Sequence, residues 1–312
     1  MERVAITGAT GFVGRYIVDE LLKRKYKVFA LVRNVDKLKG LFSDKVVGVK
    51  VDFYKKDSIK KALEEIKPDA IIHLIGILTE DRRKNITFYR VHYLLSKTLY
   101  EVCEDHGVNR VIHMSSLGTH KEAPSEYHKT KYMAEEFLKA SGLKYTIFRP
   151  SLILGPEQRL FFDMWKITKL LPVIALPGGG SYLFQPVDVR DVACAFVNSL
   201  ERQESEGKVY ELCGSETVSF KELLEDIFSK WNRKVLLIPA PKPLMYFAGK
   251  IAEKLLSPPP FSSDQMLMMW RDNVCGLDQD VETEGINKLC DREPIPYRES
   301  LSWSLENFRY NL

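Results

Sequence analysis

The chain opens on a short apolar run, Val4–Thr7. Glycines follow at Gly8, Gly11 and Gly14, and then apolar residues recur at helical spacing in Ile17, Val18, Leu21 and Leu22. A brief apolar run closed by glycine predicts a buried strand, and a recurrence every three to four residues predicts a helix with one apolar face. The alternation continues: Lys27–Val32, Val46–Asp52, Ala70–Gly76 and Arg110–Ser116 predict strands, while Ser58–Ile66 and the stretch near Phe88–His106 predict helices. The basic cluster Lys23–Lys27 reads as the end of the first helix. Strands separated in this way by helices require a parallel sheet covered on both faces, with ligand groups at the carboxyl ends of the strands.

The expected fold class is therefore α/β, a Rossmann-type doubly wound parallel sheet with a small C-terminal α/β substrate lobe. Phe184–Glu201 and Gly207–Gly214 read as a helix and a strand returning to the core. This predicts a dinucleotide-binding domain made of 1–154 with 184–214, and a substrate or lid lobe made of 155–183 with 215–312. In the lobe, Phe161, Phe162, Met164, Trp165, Ile167, Leu170 and Leu171 crowd more than one helical face. That pattern fits core packing over a cofactor, or an apolar substrate tunnel or membrane-facing lid. Leu244, Phe247, Ile251 and Leu255 also stand at helical spacing, with Lys242, Lys250 and Lys254 near the polar side. Such a helix lies on a protein surface or at a membrane interface, and Pro258–Pro260 should end it.

Composition adds exclusions. The 312 residues are 45% hydrophobic and 28% charged, the balance of a folded domain rather than a disordered chain. Forty-six Lys and Arg against 42 Asp and Glu leave +4 with no basic stripe, so no nucleic-acid partner is expected. The N-terminus runs straight into a strand pattern, and no apolar run approaches about twenty residues. A cytoplasmic protein is expected, with a peripheral place at the inner membrane face left open. The five cysteines show neither CxxC nor Cys/His ligand spacing, which predicts buried free thiols and no metal site.

The candidate chemistry lies at the strand ends. Gly8 and Gly11 fit a tight turn close to a pyrophosphate, Gly14 lets the helix approach the sheet, and the helix N-terminus offers free N–H groups. Thr10, Phe12, Val13, Gly76 and Pro150 complete this set of candidate cofactor contacts. The second strand ends in Val32 and Arg33 with no acid to repel a 2′-phosphate, so NADP(H) is favoured over NAD(H), with Arg33 and Lys37 as partners. Asp52, beside Phe53, either borders the adenine or caps the following turn. Tyr127 and Lys131 are four residues apart and leave one helix face together. A cation about 4 Å from a phenol, at an effective dielectric of about 20, favours the phenolate by up to roughly 4 kcal/mol.

"TGATGFVG", "RVIHMSS", "EYHKTK" and "YTIFRPSLILGP" resemble the extended and atypical short-chain dehydrogenase/reductase superfamily over nearly the whole chain. The resemblance implies that Tyr127 is the acid/base, that Lys131 holds the cofactor ribose and lowers the tyrosine pKa, and that Ser116 orients the substrate oxygen, with Ser115 beside it. The sequence departs from the pattern at His92, where extended members often carry Asn. Only eleven positions separate Ser116 from Tyr127, which leaves less loop for a sugar pocket. "HLIGILTED", "HMSSLGTH", "PVDVRDV" and "SSDQMLMMWRDNV" are similar to the bacterial relatives of the nucleotide-binding accessory subunit of respiratory complex I, alpha-subcomplex subunit nine. The implied functions are an oxidoreductase on an apolar carbonyl or alcohol, a non-catalytic accessory or assembly protein of complex I, or an epimerase or dehydratase of nucleotide sugars. The expected partners are a small-molecule substrate and, in the second case, a respiratory complex; the oligomeric state is left open.

Overall fold

The computed structural model describes residues 1–42, 44–256, 259 and 261–310. Strands β1 (Arg3–Thr7), β2 (Lys27–Val32), β3 (Val46–Lys50), β4 (Ala70–His73), β5 (Arg110–Met114), β6 (Lys144–Pro150) and β11 (Lys208–Leu212) form one sheet in the order 11-6-5-4-1-2-3. Every pairing in it is parallel. The order reverses direction between β1 and β4, and a ligand crevice of a doubly wound sheet opens at such a reversal. Central strands covered on both faces must be apolar throughout. Ile6, Ile72 and Ile112 are fully buried accordingly, each contributing about 2 kcal/mol relative to exposure.

Helices α1 (Phe12–Lys23), α6 (Val189–Asn198) and α10 (Gly285–Cys290) cover one face, where Ile17, Phe196 and Leu289 share a core. The other face is covered by α2 (Lys56–Ile66), α3 (Leu95–Asp105) and α4 (Glu126–Ala140), through Ile59, Leu99 and Leu138. The predicted helix near Phe88–His106 is not uniform: α3 is preceded by a π-helical turn, Tyr89–Leu94.

A third apolar cluster, including Phe161, Leu176, Leu223 and Leu301, joins α5 (Arg159–Leu170), α7 (Phe220–Lys230) and α11 (Tyr297–Glu306). The aromatic side chains of α5 are used there. Phe162 packs on Phe308, and Trp165 packs edge-on against Trp231 with the Arg233 guanidinium over its ring. The short strands pair as β7 (Ile153–Leu154) with β10 (Val187–Asp188), β8 (Val173–Pro177) with β13 (Leu236–Ala240), and β9 (Leu183–Phe184) with β12 (Val218–Ser219). Helices α8 (Lys242–Leu255) and α9 (Ser263–Met268) complete the lobe. Of the prolines expected to end α8, Pro258 and Pro260 lie outside the described residues.

The cysteine expectation is corrected. Cys194 pairs with Cys290 and Cys213 with Cys275, at Cα separations of 6.1 and 6.2 Å, which leaves Cys103 as the buried thiol. The partners are 96 and 62 residues apart, so no local spacing could have shown them.

Candidate active site and nucleotide cradle

The turn after β1 is shaped by two glycines. Gly8 has φ +74°, and a Cβ there would press on Leu74 Cβ at 3.2 Å; a Cβ on Gly14 would overlap the Gly8 carbonyl oxygen. The backbone closes through Gly11 N–H to the Gly8 carbonyl at 2.9 Å. Gly11 is the N-cap of α1 and supplies no side-chain cap, so the positive end of the helix and its free N–H groups face outward. Residues in this arrangement fit a dinucleotide pyrophosphate. Thr10 and Phe12 are half-buried on the loop, while Val13 is buried beneath it.

Farther along the strand ends, Arg33 and Lys37 are exposed just after β2. Asp52 caps a turn: its carboxylate accepts from Tyr54 N–H at 3.1 Å and lies 3.8 Å from Lys55 Nζ. Phe53 is buried among Ile59, Leu63 and Ile66, so its side chain belongs to the core. Pro150, at the end of β6, is buried, and its carbonyl accepts from Leu117 N–H at 3.0 Å. That bond helps hold the 115–117 segment in front of the sheet.

Tyr127 and Lys131 do share one face of α4, and both are buried, at 8% and 4% exposure. Ser125 caps the helix by accepting from His128 N–H, and its hydroxyl contacts His128 Nδ1 at 2.7 Å. The Tyr127 ring sits among Phe88, His92 and His128, with each pair edge-on at 5.1 to 5.8 Å. Ser116, which follows β5, lies close enough to the Tyr127 hydroxyl to influence its titration, and its Oγ is 3.2 Å from Thr119 Oγ1. Lys131 Nζ donates to the Met114 carbonyl at 3.1 Å and lies 5.5 Å from the centre of the Tyr127 ring. The three predicted catalytic residues are thus brought together.

Their electrostatics differ from the expectation of an acidified phenol. Burial pushes Tyr127 up to about 12; the Ser116 hydrogen bond opposes this and the Asp264 charge adds to it. Burial also pulls Lys131 down to about 8, with Glu135 opposing. Desolvation disfavours both charged forms and is the largest cause at each.

His92 reaches the site because it lies in the π-turn. Its Nε2 sits 3.0 Å from Ile77 N and 3.1 Å from Ile77 O, and its Nδ1 is 3.1 Å from Thr130 Oγ1. Burial and the Lys131 charge hold its pKa well below the ordinary value, so the ring is neutral near pH 7. Gly76 brings these groups near the strand end: a Cβ on it would stand 3.6 Å from His92 Nε2 and 3.7 Å from Lys131 Nζ.

One residue of the site escaped sequence reasoning. Asp264, from α9, accepts from the N–H groups of Glu126 at 2.7 Å and Tyr127 at 3.1 Å, so the lobe caps α4 from outside. Serines before a short helix signal a cap for that helix itself, and Ser262 with Gln265 forms one. No local signal reveals a cap for a helix 137 residues away. Beside it, a cavity of about 490 Å³ opens between the 79–88 segment, the start of α4, and α8 with α9; its lining includes Arg82, Phe88, Glu126, Lys250 and Asp264. Among the described residues, no group of three or more His, Cys, Asp or Glu is placed to hold a metal ion.

The mitochondrial NADH dehydrogenase [ubiquinone] 1 alpha subcomplex subunit 9 of Arabidopsis thaliana is 34% identical over 285 residues, covering 86% of this chain and 70% of that protein. The NAD-complexed UDP-glucose 4-epimerase of Thermus thermophilus superposes with a TM-score of 0.71 at 21% identity, over 99% of this chain and 100% of the other. An NADPH-dependent quinone oxidoreductase of Escherichia coli, in complex with NADPH, gives 0.73 at 20% identity over 96% and 98%. These two likenesses confirm the Rossmann-like fold. The model of the NAD dependent epimerase/dehydratase family matches residues 4–213, and with that span holding the glycine turn, Ser116, Tyr127 and Lys131, the chain belongs to this family.

Proposed function

We propose that the protein is an NADP(H)-dependent oxidoreductase that reduces an apolar carbonyl or oxidises the corresponding alcohol. The observation that carries the reading is the Ser116–Tyr127–Lys131 cluster, in which half-buried Ser116 follows β5 and the buried Tyr127 and Lys131 leave one face of α4. The cradle around Gly8, Gly11 and Gly14 would hold the pyrophosphate, and Arg33 the 2′-phosphate. A bound nicotinamide supplies or accepts the hydride at the substrate carbon. Tyr127 keeps its proton at neutral pH and gives it to the carbonyl oxygen, to which Ser116 donates a hydrogen bond. The Lys131 ammonium offsets the phenolate that results, and the neutral His92 ring fixes the strand-end loop at Ile77. In the oxidising direction the same atoms move in reverse.

Support for NADP(H) comes from Arg33 in the absence of an acid at the end of β2. The short segment from Ser116 to Tyr127 weighs against a nucleotide-sugar epimerase. The test is nicotinamide turnover with a panel of apolar aldehydes, ketones and quinones, alongside direct nucleotide binding. Tyr127→Phe is expected to lower turnover by about a thousandfold, in keeping with loss of a general acid, with nucleotide affinity changed less than threefold. Equal turnover in parent and variant would remove the enzymatic reading.

A second reading has its own support in the subunit 9 relatives: a protein that holds the nucleotide as an accessory or assembly factor of a respiratory complex. Under it, deleting the protein depletes the complex, and Tyr127→Phe restores the complex as well as the parent does.

A further inference from the structure

The lobe carries an apolar surface that the catalytic reading does not use. On α8, Leu244, Phe247, Ile251 and Leu255 stand at i, i+3, i+7 and i+11, so they share one face, and all four are exposed, Leu255 at 71% and Phe247 at 62%. The exposed face continues in sequence and register. Leu236 and Ile238 are exposed and, two residues apart, point to the same side of β13, which leads directly into α8. Leu236 pairs with Val173 on β8, and immediately before β8, at the end of α5, Leu170 is 83% exposed with Leu171 and Ile167 exposed beside it. Exposed apolar residues gathered on one helix face, with more on the elements that precede it, mark an interaction site.

Charge indicates what covers it. In the segments that build this surface, 164–175 and 230–256, eight Lys and Arg stand against one acid, Glu253, whereas the whole chain is nearly balanced at 46 to 42. Lys166 and Lys169 accompany the exposed end of α5, Lys234 precedes β13, and Lys250 and Lys254 lie on α8. Exposed apolar side chains on segments with an excess of lysine match an anionic bilayer: the apolar face enters the acyl boundary while ammonium groups stay at the headgroups. Among the described residues no helix is long and apolar enough to cross a membrane, so this surface would lie on the bilayer rather than span it.

We propose that the face formed by α8, β13 and the end of α5 binds the surface of an anionic lipid bilayer.

The test is flotation of the full chain with vesicles of phosphatidylcholine alone or mixed with phosphatidylglycerol. The expected result is recovery with the anionic vesicles at least about fivefold above the neutral ones, and release at high salt. The triple variant Phe247→Ser, Ile251→Ser, Leu255→Ser changes only exposed side chains, and should lose flotation while keeping the parent's melting temperature and nucleotide affinity. Lys166→Glu with Lys169→Glu should weaken flotation without abolishing folding. Failure of the parent to float with anionic vesicles overturns the proposal, as does a triple variant that floats as well as the parent. So does a parent that sediments as a dimer, shows no vesicle binding and becomes a monomer in the triple variant, since a second copy would then own the face. None of these outcomes depends on turnover, so the proposed reaction could fail separately.

Discussion

Lys131 is a buried ammonium that, among the described residues, donates to the Met114 carbonyl. Burial lowers its pKa from 10.5 to about 8. Between these values the folded protein binds fewer protons than the unfolded chain, so stability rises with pH across that window, and the cost of the charge is fully present below about 8. Lys131→Met keeps the length and removes the charge. Without nucleotide it should raise stability near neutral pH by about 1–3 kcal/mol, flatten the rise toward pH 10, and weaken nucleotide binding. Urea unfolding at neutral and alkaline pH checks this; a variant less stable than the parent near neutral pH would contradict it. The sequence made the pairing of Tyr127 with Lys131 legible, because four residues is about one helical turn. It could not show the direction of the tyrosine shift, because depth of burial is a property of Phe88, His92 and His128 closing around the ring.

Among the elements, α4 is fixed at its start by a partner from another part of the chain. The Asp264 carboxylate meets two free N–H groups at the positive end of α4, where an anion is favoured. Asp264→Ala should cost about 2 kcal/mol and speed hydrogen exchange at the Glu126 and Tyr127 amides more than at the far end of α4. Uniform exchange along the helix would argue against the cap. Strands and helices of the core were readable from apolar runs and glycines, since each signal lies within one element. The π-turn was not: one extra residue in a helix leaves the apolar recurrence nearly intact, yet it is what aims His92 at Ile77 and Thr130.

For the whole molecule, a nucleotide spanning the ends of β1 and β2 adds stability by mass action, about 2.7 kcal/mol at a hundredfold excess over its dissociation constant. The melting temperature should therefore rise more with NADP(H) than with NAD(H) at equal concentration. Arg33→Ala should remove that difference through an approximately tenfold loss of NADP(H) affinity. An equal response of the parent to both nucleotides would contradict the assignment of Arg33. Fold class was legible from the order of the elements, whereas the bridges Cys194–Cys290 and Cys213–Cys275 were not, since they join segments that meet only once the chain has returned on itself.

That return has a practical consequence for where the polypeptide can be divided. Glu282 exchanges backbone hydrogen bonds with β11, from Glu211 N–H to its carbonyl at 2.9 Å and from its own N–H to Val209 at 2.8 Å, while Ile286 and Leu289 sit in the core with α1 and α6. A protein cut after Cys213, where the family match stops, would bare the outer edge of the sheet and leave a hole beneath α6. The dinucleotide fold is thus completed by residues that lie beyond its recognisable sequence, and a shortened version should aggregate rather than stand alone.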